Sequence, residues 1–186
     1  MKTIIIHRSF STGPASFADI SIAPDSAVSR DGRPVFLPDE GSPWTGTILP
    51  AYRICRLGKN IPERFAPRYY DAMTIAAVAS PAPDTLPTTL GLTTDGAISL
   101  GQWTTVTEQL RGGDDHHEIT FNGTVLDFTD NSLSVCKAIH FLSRFMTLKI
   151  GDIIIPSTEG IICKLDIDSE ISADLDGTRL LEYRIK

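Results

Sequence analysis

The chain has 186 residues, 41% of them hydrophobic, and a formal net charge of -6. That length accommodates one domain with a buried core, residues 1–186, and is short for two. Its 17 Lys and Arg are scattered among 23 Asp and Glu, so a nucleic acid finds no basic stripe to follow. No window approaches membrane-spanning length. The opening MKTIIIHRSF offers an apolar triplet where a signal peptide needs a longer apolar region, so a cytoplasmic protein is expected. Cys55, Cys136 and Cys163 are odd in number and widely spaced, which argues against a disulfide framework or zinc knuckle and for small buried hydrophobes.

In chain order, Thr3–Ile6 and Val35–Leu37 read as short strands, the second bounded by the Asp31-Gly32 turn. Thr47–Arg56 reads as a longer strand, which Pro50 marks as an edge or a bulge because proline cannot donate to a ladder. Asn60 is expected to cap a short helix whose first turn holds Pro62 and Glu63. A buried strand, Met73–Ala79, follows. Ser80–Thr94, with Pro81, Pro83 and Pro87, reads as a flexible loop.

Asn122-Gly123 between Glu118–Phe121 and Thr124–Phe128 is the strongest hairpin signal. From about Ser132 to Arg144, Val135, Ala138, Ile139, Leu142 and Phe145 recur at helical spacing and predict a buried face. Asp152–Ile155, Ile161–Ile167 and Leu180–Ile185 read as strands. No internal repeat is visible.

Local chemical signals are thin. Gly112–Glu118 spells GGDDHHE, whose Asp114, His116, His117 and Glu118 are metal-ligand types, but adjacent strand residues face opposite ways and a solvated loop is the simpler reading. Asp166, Asp168 and Glu170 alternate as on a solvent-facing strand edge and lack the glycine and terminal glutamate of a calcium loop. No Gly-x-Ser-x-Gly elbow is present, and neither His7 nor His140 has a sequence-evident partner.

Longer patterns say more. The run from Phe141 to Lys186, together with RICRLGKNI and APDSAVSRDGRPVFLPD, resembles the fumarylacetoacetate hydrolase family over nearly the whole chain. The resemblance implies an α+β, β-rich fold: a mixed β-sandwich roll of the family's C-terminal-domain type with few short helices. It also implies chemistry around a keto acid or diacid, with Mg, Mn or Ca polarising the substrate's oxygens.

Residue by residue, the family's site is altered. The opening strand IIIHRSF keeps Arg8 but has His7, Ser9 and Phe10 around it, where members have a Gly-Arg-Asn-Tyr-like turn. Registering on Arg53–Ile61 puts Thr47 and Leu49 at two glutamate ligand positions, and Val78 falls at the third acidic position. Ala23 and Leu92 stand where the family has lysines. Asp95, with Gly96 and Gly101, is retained, as is Thr158 in the late loop. Between Phe10 and Asp19 no His-Glu base pair is visible.

Magnesium and calcium need hard oxygen ligands, and these positions offer one hydroxyl. The expectation is therefore a catalytically degenerate relative, a pseudoenzyme retained as a binding or interaction module, with no cofactor and no metal. A homodimer, an active paralogue and a small carboxylate ligand are the partners the resemblance implies. The alternatives are a divalent-metal-dependent hydrolase, isomerase or decarboxylase acting on a small keto acid or diacid, and a purely structural interaction subunit.

Overall fold

The computed structural model describes residues 1–7, 19–30, 32–106, 116–129, 135–156 and 159–186. Along the chain these form strands β1 (Thr3–Ile6), β2 (Ile20–Ala23), β3 (Val28–Ser29), β4 (Thr45–Ile54) and β5 (Tyr70–Ser80), then a one-turn helix α1 (Thr88–Gly91). Next come β6 (Ile98–Leu100), β7 (Thr104–Thr105), β8 (His116–Phe121), β9 (Thr124–Thr129) and helix α2 (Val135–Phe145). The chain closes with β10 (Ile153–Ile155), β11 (Ile161–Lys164), β12 (Glu170–Leu175) and β13 (Thr178–Arg184). The fold is α+β and strand-rich with few short helices, as the sequence predicted.

The strands divide between two sheets. The larger runs β2-β1-β10-β4-β5-β6-β3, with β11 also on β4 and β7 also on β5; the smaller runs β13-β12-β8-β9. The antiparallel pair β4–β5 is the spine, because both strands are apolar on both faces and so must be covered on both. One face, carrying Ile48, Tyr52, Ile54, Met73 and Ile75, packs in a core shared with α2 and the small sheet. The other, carrying Leu49, Ala51, Ala76 and Val78, forms a separate apolar cluster with Ile5, Leu92, Ile98, Ile153 and Ile155.

Several local expectations are corrected. Pro50 lies within a central strand, opposite Ile75. It is tolerated there because β11 pairs with Thr45–Ile48 and β10 with Tyr52–Arg53, leaving the stretch between them without a ladder on that side. Val35–Leu37 forms only a bridge from Val35 to Ile185. Asn60 caps no helix: it takes a left-handed φ of 53°, its N–H bonds the Ser143 carbonyl, and a 3-10 helix, Glu63–Arg68, starts after Pro62. The Ser80–Thr94 segment contains α1 and successive tight turns. Asp166–Ser169 is a turn with Asp168 at φ 64°, and the strand begins only at Glu170. The cysteines are not joined in disulfides, and each is partly exposed and not buried as expected.

The hairpin and helix fall where predicted. Asn122 and Gly123 take φ of 47° and 78°, the left-handed pair that a two-residue turn requires. In α2, Val135, Ala138, Ile139 and Leu142 are fully buried while Phe145 is mostly exposed. Helix α2 also fastens the chain beyond β4, since Ser143 Oγ accepts the Ile61 N–H at 2.9 Å and His140 Nδ1 lies 2.7 Å from the Ile61 carbonyl.

Two contacts tie distant parts together. Asp152, at 1% exposure, forms an ion pair with Lys2 and accepts the N–H groups of Lys2 at 3.1 Å and Lys149 at 2.8 Å. Tyr183 of the small sheet is buried and hydrogen-bonded to Ser99 of the large one. Burial, and then the nearby Cys163 thiol, push the Tyr183 phenol well above its ordinary 10.0. The folded state therefore holds this phenol neutral after the unfolded chain has begun to ionise it. Stability from Tyr183 should be complete below pH 10 and fall as pH rises further. Chemical denaturation between pH 8 and 11.5 should show that alkaline fall in the wild type and a shallower one in Tyr183→Phe; identical slopes would contradict the assignment.

Candidate functional site

The inner apolar face of the large sheet holds a cavity of about 160 Å³. Strand parity and register build it. Thr47 sits directly opposite Val78 across β4–β5, and Leu49 lies two residues further along β4, on the same face. Ile5 enters from β1, His7 follows it on that face, and Ser80 continues the Val78 side of β5. Thr88 and Leu92, at the two ends of the α1 turn, complete the lining.

Of the residues that sequence reasoning named, Thr47, Leu49, Val78 and Leu92 line this one cavity. The others divide. Ala23 is fully buried in the same apolar cluster but is not part of the lining. Asp95 is not in the cavity; it lines a separate open cleft with Asp25, Arg33 and Phe36. Arg8 and Thr158 lie outside the described residues, as does the Phe10–Asp19 interval up to residue 18.

Of the two histidines that sequence reading left without a partner, His7 is the one at the cavity. Its Nε2 lies 2.7 Å from Ser21 Oγ, and its backbone N–H bonds the Asp19 carbonyl at 2.7 Å. Ser21 stands opposite Ile5 in the β1–β2 pairing, hence on the cavity side of the sheet. The available signal was the alternation Ile20-Ser21-Ile22-Ala23 ahead of Pro24, which marks a short strand able to carry Ser21 beside β1.

The donor set decides what this cavity can hold. Among the described lining residues, Ile5, Leu49, Val78 and Leu92 are aliphatic, and the polar ones are His7 and the hydroxyls of Thr47, Ser80 and Thr88. Magnesium, calcium and manganese demand several hard oxygens, mainly carboxylates, and neutral hydroxyls beside aliphatic walls do not fit them. Among the described residues no group of three or more His, Cys, Asp or Glu is arranged to hold a metal ion.

Competing sites are accounted for structurally. Residues 112–115 of the GGDDHHE segment lie outside the described residues, while His117 is a buried strand residue and not part of a solvated loop. Its Nδ1 lies 2.8 Å from Asp176, which also accepts the Glu118 N–H at 2.8 Å, so it joins the two hairpins of the small sheet. Asp168 is exposed and paired with Lys186 at 3.0 Å, and that hydrogen bond holds its carboxyl below the ordinary range. Cys163 is no activated nucleophile: burial raises its thiol above 9.0, and its Sγ donates to the Gly46 carbonyl at 3.5 Å. At pH 8, Cys163 should therefore react with iodoacetamide several-fold more slowly than glutathione, because its thiolate fraction is small. Peptide mapping that found it the faster thiol would contradict this.

No family model matches the chain, and no curated protein matches it. Solved structures do. A 5-carboxymethyl-2-hydroxymuconate delta-isomerase from Mycobacterium smegmatis is similar with a TM-score of 0.80 and 21% identity, over 99% of this chain and 78% of that one. A Yersinia pestis CO92 protein described as a fumarylacetoacetate hydrolase family member gives 0.79 and 19%, over 100% and 92%. A fumarylpyruvate hydrolase from Pseudomonas aeruginosa, solved with Mn2+ and pyruvate, gives 0.80 and 17%, over 100% and 89%. The chain therefore has the fold of fumarylacetoacetate hydrolase family proteins. No helix among the described residues is long and apolar enough to cross a membrane.

Proposed function

We propose that this chain is a catalytically degenerate relative of the fumarylacetoacetate hydrolase family that keeps the fold's inner cavity as a metal-independent site for a small organic ligand. The observation that carries the reading is the lining itself. Thr47, Leu49 and Val78 stand together on one face where the resemblance places three acidic ligands, and they bring one hydroxyl and no carboxylate. Leu92, at a lysine position, adds apolar wall in place of charge. A retained concavity of about 160 Å³ favours a ligand site over a purely structural subunit, which needs none.

The reading is tested by isothermal titration of metal-stripped protein with magnesium and manganese, alone and with oxalate. No saturable heat is the expected result. One ion bound per chain would overturn the proposal in favour of a metal-dependent hydrolase or isomerase, the kind of activity its structural neighbours' names carry. Homodimerisation belongs to the same proposal, and light scattering that gave a monomer at every concentration would remove it.

A further inference from the structure

Independently of the cavity, we infer that the surface built by residues 55–69 and 141–150 is a docking face for an anionic lipid bilayer, on which the protein rests without crossing it. The chain's lysines and arginines are scattered in sequence, but folding joins these two stretches. Gly58 and Leu148 exchange backbone hydrogen bonds of 3.0 and 2.9 Å, and the Asn60 N–H donates to the Ser143 carbonyl at 2.8 Å. Together the stretches carry Arg56, Lys59, Arg64, Arg68, Arg144 and Lys149, all exposed, against one acidic residue, Glu63, in a chain whose net charge is -6.

The charges are uncompensated. Elsewhere Lys2, Arg53, Arg179 and Lys186 are each paired with a carboxylate, whereas among the described residues none of the six forms an ion pair. The carboxylates that follow each stretch are already taken, Asp71 by Arg53 and Asp152 by Lys2. Like charges gathered in this way repel one another, and an anionic surface relieves that repulsion. Every other Asp and Glu lies outside the two stretches, so the same bilayer repels the rest of the molecule and sets its orientation.

Three of the cations are followed directly by an apolar side chain that stands in water: Arg56 by Leu57, Arg144 by Phe145 and Lys149 by Ile150. These three are 65%, 58% and 71% exposed. Ile150 is raised at the tip of a tight turn, closed by the Asp152 N–H on the Lys149 carbonyl and permitted by Gly151 at φ 86°. Basic side chains beside protruding apolar ones suit the boundary between headgroups and acyl chains. Nucleic acid gains little from leucine and isoleucine, and the centres of protein interfaces are depleted in lysine, so a lipid surface is the favoured occupant.

The test is co-sedimentation of the full chain with vesicles of phosphatidylcholine alone and of phosphatidylcholine with phosphatidylserine in a ratio of about 7:3. Binding should be confined to the vesicles that contain phosphatidylserine, and should weaken by about tenfold or more as salt rises from about 0.05 to 0.5 M, because exposed charges are screened. Lys59→Gln combined with Lys149→Gln should weaken it about 25-fold, or about fivefold for each charge removed. Ile150→Ser leaves every charge in place and should weaken it about tenfold. No binding to either kind of vesicle, equal binding to both, or indifference to either variant would overturn the inference. Binding of polyglutamate or of a single-stranded oligonucleotide, lost in the double lysine variant while vesicles stay unbound, would assign the face to an acidic polypeptide or a nucleic acid instead.

Discussion

Replacing Asp152 with alanine should lower the thermal unfolding midpoint by about 6–12 °C. Its carboxylate is almost wholly buried, pairs with Lys2, and takes the backbone N–H groups of Lys2 and Lys149. Those partners lie at the start of β1 and in the turn before β10, two strands that run parallel and are joined by nothing local in sequence. Truncation leaves two backbone donors and an ammonium facing a hole. Breaking a buried pair in this way costs about 3 kcal/mol or more, and a domain of this size loses about 2–4 °C for each kcal/mol. Lys2 keeps a quarter of its side chain in water, which places the estimate at the low end of that range. Lys2→Met should cost less than Asp152→Ala, because the carboxylate retains both N–H donors. A calorimetric midpoint for Asp152→Ala within about 2 °C of wild type would contradict the clamp.

Gly160→Ala is the second substitution with a large expected effect, and it reaches the cavity. A Cβ at this position would lie 2.3 Å from the Ile48 carbonyl oxygen and 2.5 Å from Leu49 Cδ2. The Leu49 side chain can rotate, but the Ile48 carbonyl is part of β4, between its ladders to β5 and β11. Either β11 lifts from β4 or β4 bends toward the cavity. Overpacking of this kind costs about 1–3 kcal/mol, and contact with backbone puts it near the upper figure. Loss of stability should come with displacement of Leu49, which is a wall of the cavity. By contrast, Gly151→Ala meets no atom within 4 Å, and its cost is confined to a φ of 86°. Comparing the two variants by denaturation separates steric from conformational cost; a Gly160→Ala protein as stable as wild type would refute the close approach.

What the sequence revealed follows from which features are local. The Asn122-Gly123 turn and the stripe along α2 are set by near neighbours and appear where expected. The inner-face grouping of Thr47, Leu49 and Val78 came from the family resemblance, and β-register then explains it, since an antiparallel pairing that sets Thr47 against Val78 must set Leu49 against Ala76. Long-range features were missed. Pro50 looked like an edge because the gap between β10 and β11 depends on strands about a hundred residues away. The alternation of Ile171, Ala173 and Leu175 marks β12, but the acidic residues just before it drew the reading to a strand edge when they form a turn. His7 was visible, whereas its bond to Ser21 depends on β2 returning alongside β1.

The decisive measurement is a crystal structure of the metal-stripped protein grown with oxalate and a stoichiometric excess of Mn2+, with data collected for manganese anomalous scattering. A metal-independent site should show no anomalous peak in the cavity lined by Thr47, Leu49, Val78 and Leu92. An anomalous peak beside Thr47 would contradict it and make this chain a metal-binding protein after all.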